Sequence, residues 1–204
     1  MGLLVTFEGI EGSGKSTQIG LVREFLEGDG YPCLVTKEPG GAPLGEGISG
    51  ILLGRDDLRI SPLAEVFLFG ANRAQHVAEI LRPALKEGKV VLCDRFTDAT
   101  VAYQGYGRGV DVGLIEQVNR WATGDLMPDI TILLDCPVEL GMARAKGKDR
   151  FEREGYTFHQ RVREGYLRIA HQEPQRVKVV SGEGEEGMIQ EEIRKVLRPL
   201  LARR

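Results

Sequence analysis

The sequence predicts an α/β fold, a five-stranded and mainly parallel sheet flanked by helices. Two observations lead there. Short unbroken apolar runs alternate with segments of helical period along the chain, and strands covered on both faces read as unbroken apolar runs. A glycine-rich loop joins the first of these runs to the first helical segment, the position at which open parallel sheets hold phosphate. With 204 residues, 42% hydrophobic and 28% charged, the chain has the size and balance of one packed domain, 1–204.

Leu3-Leu4-Val5-Thr6-Phe7 is the first predicted strand. The helix after the glycine loop carries Ile19, Leu21, Val22, Phe25 and Leu26 on one face and stops at Gly28-Asp29-Gly30. Cys33-Leu34-Val35 is the second strand, closed by the loop residues Glu38-Pro39-Gly40-Gly41. A long helix then runs from Pro62 to about Leu85. Its first turns are apolar nearly all round, through Leu63, Ala64, Val66, Phe67, Leu68, Phe69, Ala71 and Ala74. A helix lying on a sheet needs only one apolar stripe, so the second face is covered either within the domain or by another subunit. Val90-Val91-Leu92-Cys93, Ile130-Thr131-Ile132-Leu133-Leu134 and Val177-Lys178-Val179-Val180 complete the sheet.

Several classes of function are excluded. Lys+Arg 27 against Asp+Glu 30 leaves a net charge of −3, whereas chains that coat nucleic acid carry a basic excess. No apolar run approaches the ~20 residues of a membrane span, and Met-Gly-Leu-Leu-Val lacks the basic head of a signal peptide. Cys33, Cys93 and Cys136 have neither disulfide nor metal spacing, and His76, His159 and His171 are scattered. A cytoplasmic chain with no nucleic-acid or membrane partner is expected.

Gly9-Ile10-Glu11-Gly12-Ser13-Gly14-Lys15-Ser16-Thr17 matches G-x-x-x-x-G-K-S/T in full. Its glycines let backbone N–H groups turn towards phosphate oxygens, and the helix N-terminus adds unpaired donors. Lys15 reaches the outer phosphates and the Ser16 hydroxyl takes a Mg²⁺ position. This is a nucleoside triphosphate site. An Asn-Lys-x-Asp guanine-reading motif is missing. Two strands end in carboxylates, Asp94 and Asp135, on the ligand side of a parallel sheet. Asp94, followed by Arg95, pairs an acid for magnesium or its waters with a cation for phosphate. For Asp135 a role at the site and a helix cap remain open. Arg144, Lys146, Lys148, Arg150 and Arg153 are accompanied only by Asp149 and Glu152, with Gly147 and Gly155 nearby. Such a segment, 144–155, reads as a cationic lid closing over a transferring phosphoryl group, with a solvated helix face as the alternative.

Four stretches together resemble the thymidylate kinase family. They are Phe7 to Thr17, Glu38-Pro39-Gly40-Gly41, Phe69-Gly70-Ala71-Asn72-Arg73-Ala74-Gln75-His76-Val77, and Asp94-Arg95-Phe96-Thr97-Asp98-Ala99-Thr100-Val101-Ala102-Tyr103-Gln104-Gly105. The phosphate loop is shared by many enzymes; the Arg73 and Asp94–Gly105 stretches are far more specific. The resemblance implies a P-loop kinase fold and transfer of the γ-phosphoryl group of ATP to dTMP, with Mg²⁺ as cofactor and a homodimer packed through helices. It places ATP on residues 9–17 and Arg144, and Mg²⁺ on Ser16 and Asp94. The acceptor falls to Glu38, Pro39, Phe69 stacking on thymine, Arg73 at its carbonyl edge, Thr100 and Gln104 near the base, Tyr103 under the deoxyribose and Arg95 on the phosphate. Lys15, Arg95, Glu11 and Asp94 serve catalysis. Because Glu11 and Ser13 leave the phosphate loop without an arginine, Arg150 is the expected lid cation, with Arg153 second. Phe96, Ala99 and Ser49 depart from residues common in the family, Tyr, Ser and Arg respectively. A kinase for a different nucleoside monophosphate and a nucleotide switch acting through partners are the rival readings.

Overall fold

The computed structural model describes residues 2–55, 57–145 and 149–202. In chain order the first half runs β1 (Leu3–Glu8), α1 (Lys15–Gly28), β2 (Cys33–Lys37), α2 (Pro43–Gly54), α3 (Pro62–His76), α4 (Arg82–Lys86) and β3 (Val90–Asp94). It continues with α5 (Thr97–Thr100), α6 (Val112–Thr123), β4 (Ile130–Asp135), α7 (Val138–Arg144), α8 (Tyr156–Gln172), β5 (Val177–Ser181) and α9 (Glu186–Leu201). Among the described residues the five strands form one sheet in the order β2-β3-β1-β4-β5, and every pairing is parallel. From β1 the chain crosses to the edge as β2, returns to place β3 beside β1, and then moves to the other side through β4 and β5. The crevice beyond the carboxyl end of β1 is therefore the switch point where such sheets bind ligands.

Each strand outlasts its apolar run by one or two residues. Phe7 pairs with Asp94, Glu8 with Leu133 and Lys37 with Asp94, because ladder hydrogen bonds are made by backbone and continue past the last apolar side chain. That extension delivers Glu8 and Asp94 to the rim of the crevice. Alternate residues of β1 serve opposite faces. Val5 and Phe7 pack with Val22, Leu26, Ile132, Ile193 and Leu197 under α1 and α9, while Leu4 packs with Leu81, Val91 and Phe96. A third cluster, including Ala102, Ile115, Leu133 and Val162, lies beneath α6 and α8.

The long helix from Pro62 is one run to Lys86. Ser61 caps it, its Oγ accepting from the Ala64 N–H at 3.3 Å, and Pro62 occupies the first turn, where its missing N–H costs nothing. A π-helical segment, Val77–Leu81, interrupts it just before Pro83, which can supply no N–H and whose ring crowds the preceding turn. Val66 is fully buried, but Leu63 is 45% and Phe67 54% exposed. The second apolar face is thus uncovered within the described chain. A second π-helical segment, Val101–Gly107, continues α5 and carries Tyr103 and Gln104. Among the described residues no helix is long and apolar enough to cross a membrane.

Ile132, on the second-innermost strand and fully buried, tests the packing. Ile132→Ala should cost about 2–5 kcal/mol of stability, read as a fall in the urea midpoint without a change in the slope of the transition.

Candidate active site

A cavity of about 280 Å³ opens at the carboxyl ends of β1, β2 and β3, lined at one end by Lys15 and Ser16 and at the other by Phe69, Arg73 and Gln104. The phosphate loop enters α1 through three glycines of positive φ, Gly9, Gly12 and Gly14. At Gly12 a Cβ would lie 2.1 Å from the Gly141 carbonyl oxygen, so no side chain fits between the loop and α7. Lys15 Nζ folds back and donates to Gly9 O (3.0 Å), Ile10 O (2.9 Å) and Ser13 Oγ (3.4 Å). Burial, and then the Arg95 charge, push the Lys15 ammonium down to about 8, against the opposing pull of Asp94, Glu11 and Glu8. A phosphate arriving here would favour the charged form.

Arg95 is the hinge of the site. It holds φ at 69°, a conformation that costs a non-glycine residue about 1–3 kcal/mol, while its N–H donates to Phe7 O at 3.0 Å. The guanidinium then turns back over the phosphate loop, donating to Gly9 O (3.0 Å), Tyr166 Oη (3.2 Å) and Glu11 Oε1 (2.8 Å), with Cζ 4.9 Å from the Tyr103 ring centre. Glu11 Oε2 accepts the Tyr103 hydroxyl. Burial would raise the Glu11 carboxyl, but the Arg95 and Lys15 charges and the Tyr103 hydrogen bond bring it below its usual value. Behind them Glu8 accepts from the Phe96 N–H and the Tyr166 hydroxyl, both at 2.8 Å. Burial and the nearby Asp98 push it up to about 7, against Arg95 and those two hydrogen bonds.

Ser16 Oγ lies 3.4 Å from Asp94 Oδ2, and Asp94 Oδ1 is buried without a hydrogen-bond partner. A hydroxyl and a carboxylate oxygen beside a phosphate loop are a donor set suited to Mg²⁺, which keeps several waters and takes most of its other ligands from phosphates. No group of three or more His, Cys, Asp or Glu able to enclose a metal occurs among the described residues.

At the far end Arg73 is 1% exposed and every nitrogen of its guanidinium has a protein partner. Nε (2.9 Å) and Nη2 (2.7 Å) meet Glu38 Oε2, Nη2 also donates to Phe96 O (2.8 Å), and Nη1 donates to Asn119 Oδ1 (2.6 Å) and Thr100 Oγ1 (3.1 Å). The expected donor to a base edge is thus engaged by protein acceptors at all three of its nitrogens. Glu38 is likewise committed, since its other oxygen takes His76 Nδ1 at 2.9 Å, while His76 Nε2 meets Thr36 Oγ1 at 2.7 Å. Glu38 also lines the cavity, with both of its oxygens held by Arg73 and His76. Pro39, after a cis peptide, Phe69, Thr100, Tyr103 and Gln104 line the cavity, together with Ser49 and Ala99. Gln104 Nε2 donates to Glu65 Oε2 at 2.9 Å, whereas its Oε1 is buried without a partner.

Arg150 departs from expectation. It does not reach the phosphate loop. Its Nη2 lies 3.0 Å from Glu65 Oε1, close enough for an ion pair but not aligned as a hydrogen bond, and its Cζ is 5.0 Å from the Phe151 ring centre. The cause is Phe151, which is buried with ring centres 6.1 Å from Phe69 and 5.8 Å from Tyr103 and carries its neighbour to the base end. Arg108 fastens the same segment through Glu154 at 2.6 Å. Arg153 is exposed, and Lys146, Gly147 and Lys148 lie outside the described residues. Arg144 stays beside the loop, with Cβ near Gly12 and Nη1 donating to Gly182 O at 3.1 Å. Asp135 neither caps a helix nor lines the main cavity, because Arg163 takes both its oxygens, at 2.6 and 2.9 Å.

Sequence reasoning missed Glu8, Glu65 and Asn119. A signal existed for two of them: Glu65 is a lone acid in Leu-Ala-Glu-Val-Phe-Leu, and Asn119 follows Ile115 and Val118 on the apolar side of its helix.

The depressed Lys15 value gives a test with a definite sign. Near pH 8 a fraction of Lys15 is neutral in the free protein, and a bound triphosphate raises its proton affinity. Triphosphate binding should therefore take up protons near pH 8 and weaken as pH rises further. Calorimetry in two buffers of different protonation enthalpy reads the uptake, and Lys15→Met should abolish it.

Comparison with known proteins places the chain. The family model described as thymidylate kinase matches residues 7–193. A thymidylate kinase of Citrifermentans bemidjiense is 52% identical over 194 residues, 91% of this chain and 86% of that protein. One of a Synechococcus strain is 48% identical over 199 residues, 98% of this chain and 96% of that protein. The crystal structure of thymidylate kinase from Ehrlichia chaffeensis superposes with a TM-score of 0.81 at 36% identity, covering 96% of this chain and 98% of that one. On these grounds the chain belongs to the thymidylate kinase family.

Proposed function

We propose that this cavity transfers the γ-phosphoryl group of ATP to dTMP, giving ADP and dTDP for dTTP synthesis. The observation that carries the reading is a single cavity with a phosphate loop at one end and Phe69, Arg73 and Gln104 at the other. ATP lies along residues 9–17 with Arg144 beside it; dTMP lies between Phe69 and Tyr103 with its phosphate towards Arg95. The thymine ring N–H donates to the unpartnered Gln104 Oε1. Its carbonyl competes for Arg73 Nη1, where the 3.1 Å bond to Thr100 is the longest that guanidinium makes.

The reaction asks for placement and charge neutralisation more than for proton transfer, because the acceptor phosphate oxygen is already ionised at neutral pH. Lys15 leaves its loop carbonyls for the outer phosphates. Arg95 shifts from Glu11 to the acceptor phosphate and holds it in line. Glu11, relieved of Arg95, and Asp94 order water around the phosphates. Ser16 and Asp94 would hold Mg²⁺, which supplies charge neutralisation on the β- and γ-phosphates. Residues 144–155 act as the lid, with Arg150 exchanging Glu65 for the transferring phosphoryl group and Arg153 as the second cation. The chain acts as one domain, 1–204, in the cytoplasm.

An ADP-release assay with ATP and Mg²⁺ tests the reading across a panel of monophosphates. The largest kcat/KM is expected with dTMP, and a larger value for another acceptor, or turnover independent of any acceptor, overturns it.

We propose a homodimer that covers the exposed face of α3. Leu63 and Phe67 are exposed there, and Trp121 is 76% exposed on α6, which packs beside it. Large apolar side chains left exposed on two adjacent helices support an interface there. Sedimentation at micromolar concentration should give about twice the 22.5 kDa of one chain, and Phe67→Glu should return it to one.

A further inference from the structure

Glu65 has no place in the reaction, yet it is a carboxylate 1% exposed in the apolar half of α3. Burying a charge there is costly unless it is paired and hydrogen-bonded. Three groups converge on it: Gln104 Nε2 at 2.9 Å and Arg108 Nε at 3.4 Å on Oε2, and Arg150 Nη2 at 3.0 Å on Oε1. The two guanidinium groups offset its charge. The contact to Gln104 does something else.

A glutamine amide is nearly symmetric in shape, and only its partners decide which end is oxygen. Gln104 is 1% exposed, its nitrogen is held by Glu65 and its Oε1 has no protein partner, so Glu65 is the contact that decides the orientation. An ionised carboxylate accepts hydrogen bonds and donates none. Turning the amide over would set its oxygen against Glu65 Oε2 and leave an acceptor–acceptor clash in a buried site. We infer that Glu65 is a positioning residue for base selection: by holding the Gln104 nitrogen it fixes the Gln104 oxygen towards the cavity, so that the site takes a pyrimidine presenting a ring N–H and rejects one presenting a ring-nitrogen lone pair. This rests on the reading of Gln104 as the base contact. Thymine and uracil both carry that N–H, and cytosine carries the lone pair. Glu65 thus separates cytosine from the other two and does not sense the 5-methyl group. Arg73 still faces the cytosine amino group, donor to donor, so losing Glu65 relaxes the selection only in part.

The test measures kcat/KM for dTMP, dUMP and dCMP in the wild type and in Glu65→Gln, Glu65→Ala and Glu65→Asp, with dCMP read as a competitive inhibitor where its turnover is too slow. In the Gln and Ala variants the dTMP-to-dCMP ratio should narrow about tenfold, the worth of one directed hydrogen bond, while the dTMP-to-dUMP ratio stays within about twofold. Glu65→Asp keeps an acceptor-only group and should keep the wild-type ratios even if its rate falls. Two removals are made so that a misfolded one, seen in a thermal melt, leaves the other to read. An unchanged dTMP-to-dCMP ratio in a folded variant, equal narrowing in Glu65→Asp, or a parallel change in the dTMP-to-dUMP ratio overturns the inference. A wild type inactive on dTMP would instead sink the functional reading itself.

Discussion

The buried guanidinium of Arg73 is the constraint on which the acceptor end of this fold depends. Removing an unpaired charge from water costs several kcal/mol even after relaxation, and the structure offsets that cost by surrounding Arg73 with acceptors from four separate places. Glu38 comes from the loop after β2, Phe96 O from the turn after β3, Thr100 from α5 and Asn119 from α6. None of these segments can shift without orphaning a donor. The loop after β2 is fixed again through Gly40 N–H to Asn72 Oδ1 at 2.8 Å and through His76 on Glu38. The shape of the cavity at this end is fixed because a charge would otherwise be stranded.

The phosphate end is set by close approach instead. Gly12 meets the backbone of Gly141 with no room for a side chain, so α7, which leads into the proposed lid, starts from a point fixed by the loop itself. At the centre Arg95 carries strain in its backbone and spends its guanidinium on Gly9, Glu11 and Tyr166. Each of these contacts has an acceptor that a phosphate can replace. The two ends therefore differ in kind, one locked by saturated hydrogen bonding and the other held by bonds that are exchangeable.

What could be read from residues follows the same division. The five strands were legible because a buried parallel strand is an unbroken apolar run, and only their last one or two residues escaped, since backbone pairing leaves no mark on side-chain type. The phosphate loop was legible because its chemistry is contained in nine consecutive residues. Glu65, Asn119 and Glu8 were not, because their meaning lies in partners 39, 46 and 88 positions away. Asp135 stood open between a site role and a helix cap, and Arg163, 28 positions on, takes both its oxygens. The seat of Arg150 depends on Phe151, whose ring packs between helices that sequence does not bring together. The extra apolar face near Phe67 was legible as a pattern, and its uncovered state needed the fold.

The docking of Phe151 against Phe69 and Tyr103 has a calorimetric consequence. The heat-capacity change of a binding event tracks the apolar area it removes from water. Because the Phe151 ring already shelters those two aromatic walls, a displacement of that ring by a bound base would exchange one apolar cover for another and add little to that quantity. A large negative heat-capacity change on acceptor binding would then report the thymine ring itself entering the site, with the protein contributing a surface it had dried in advance.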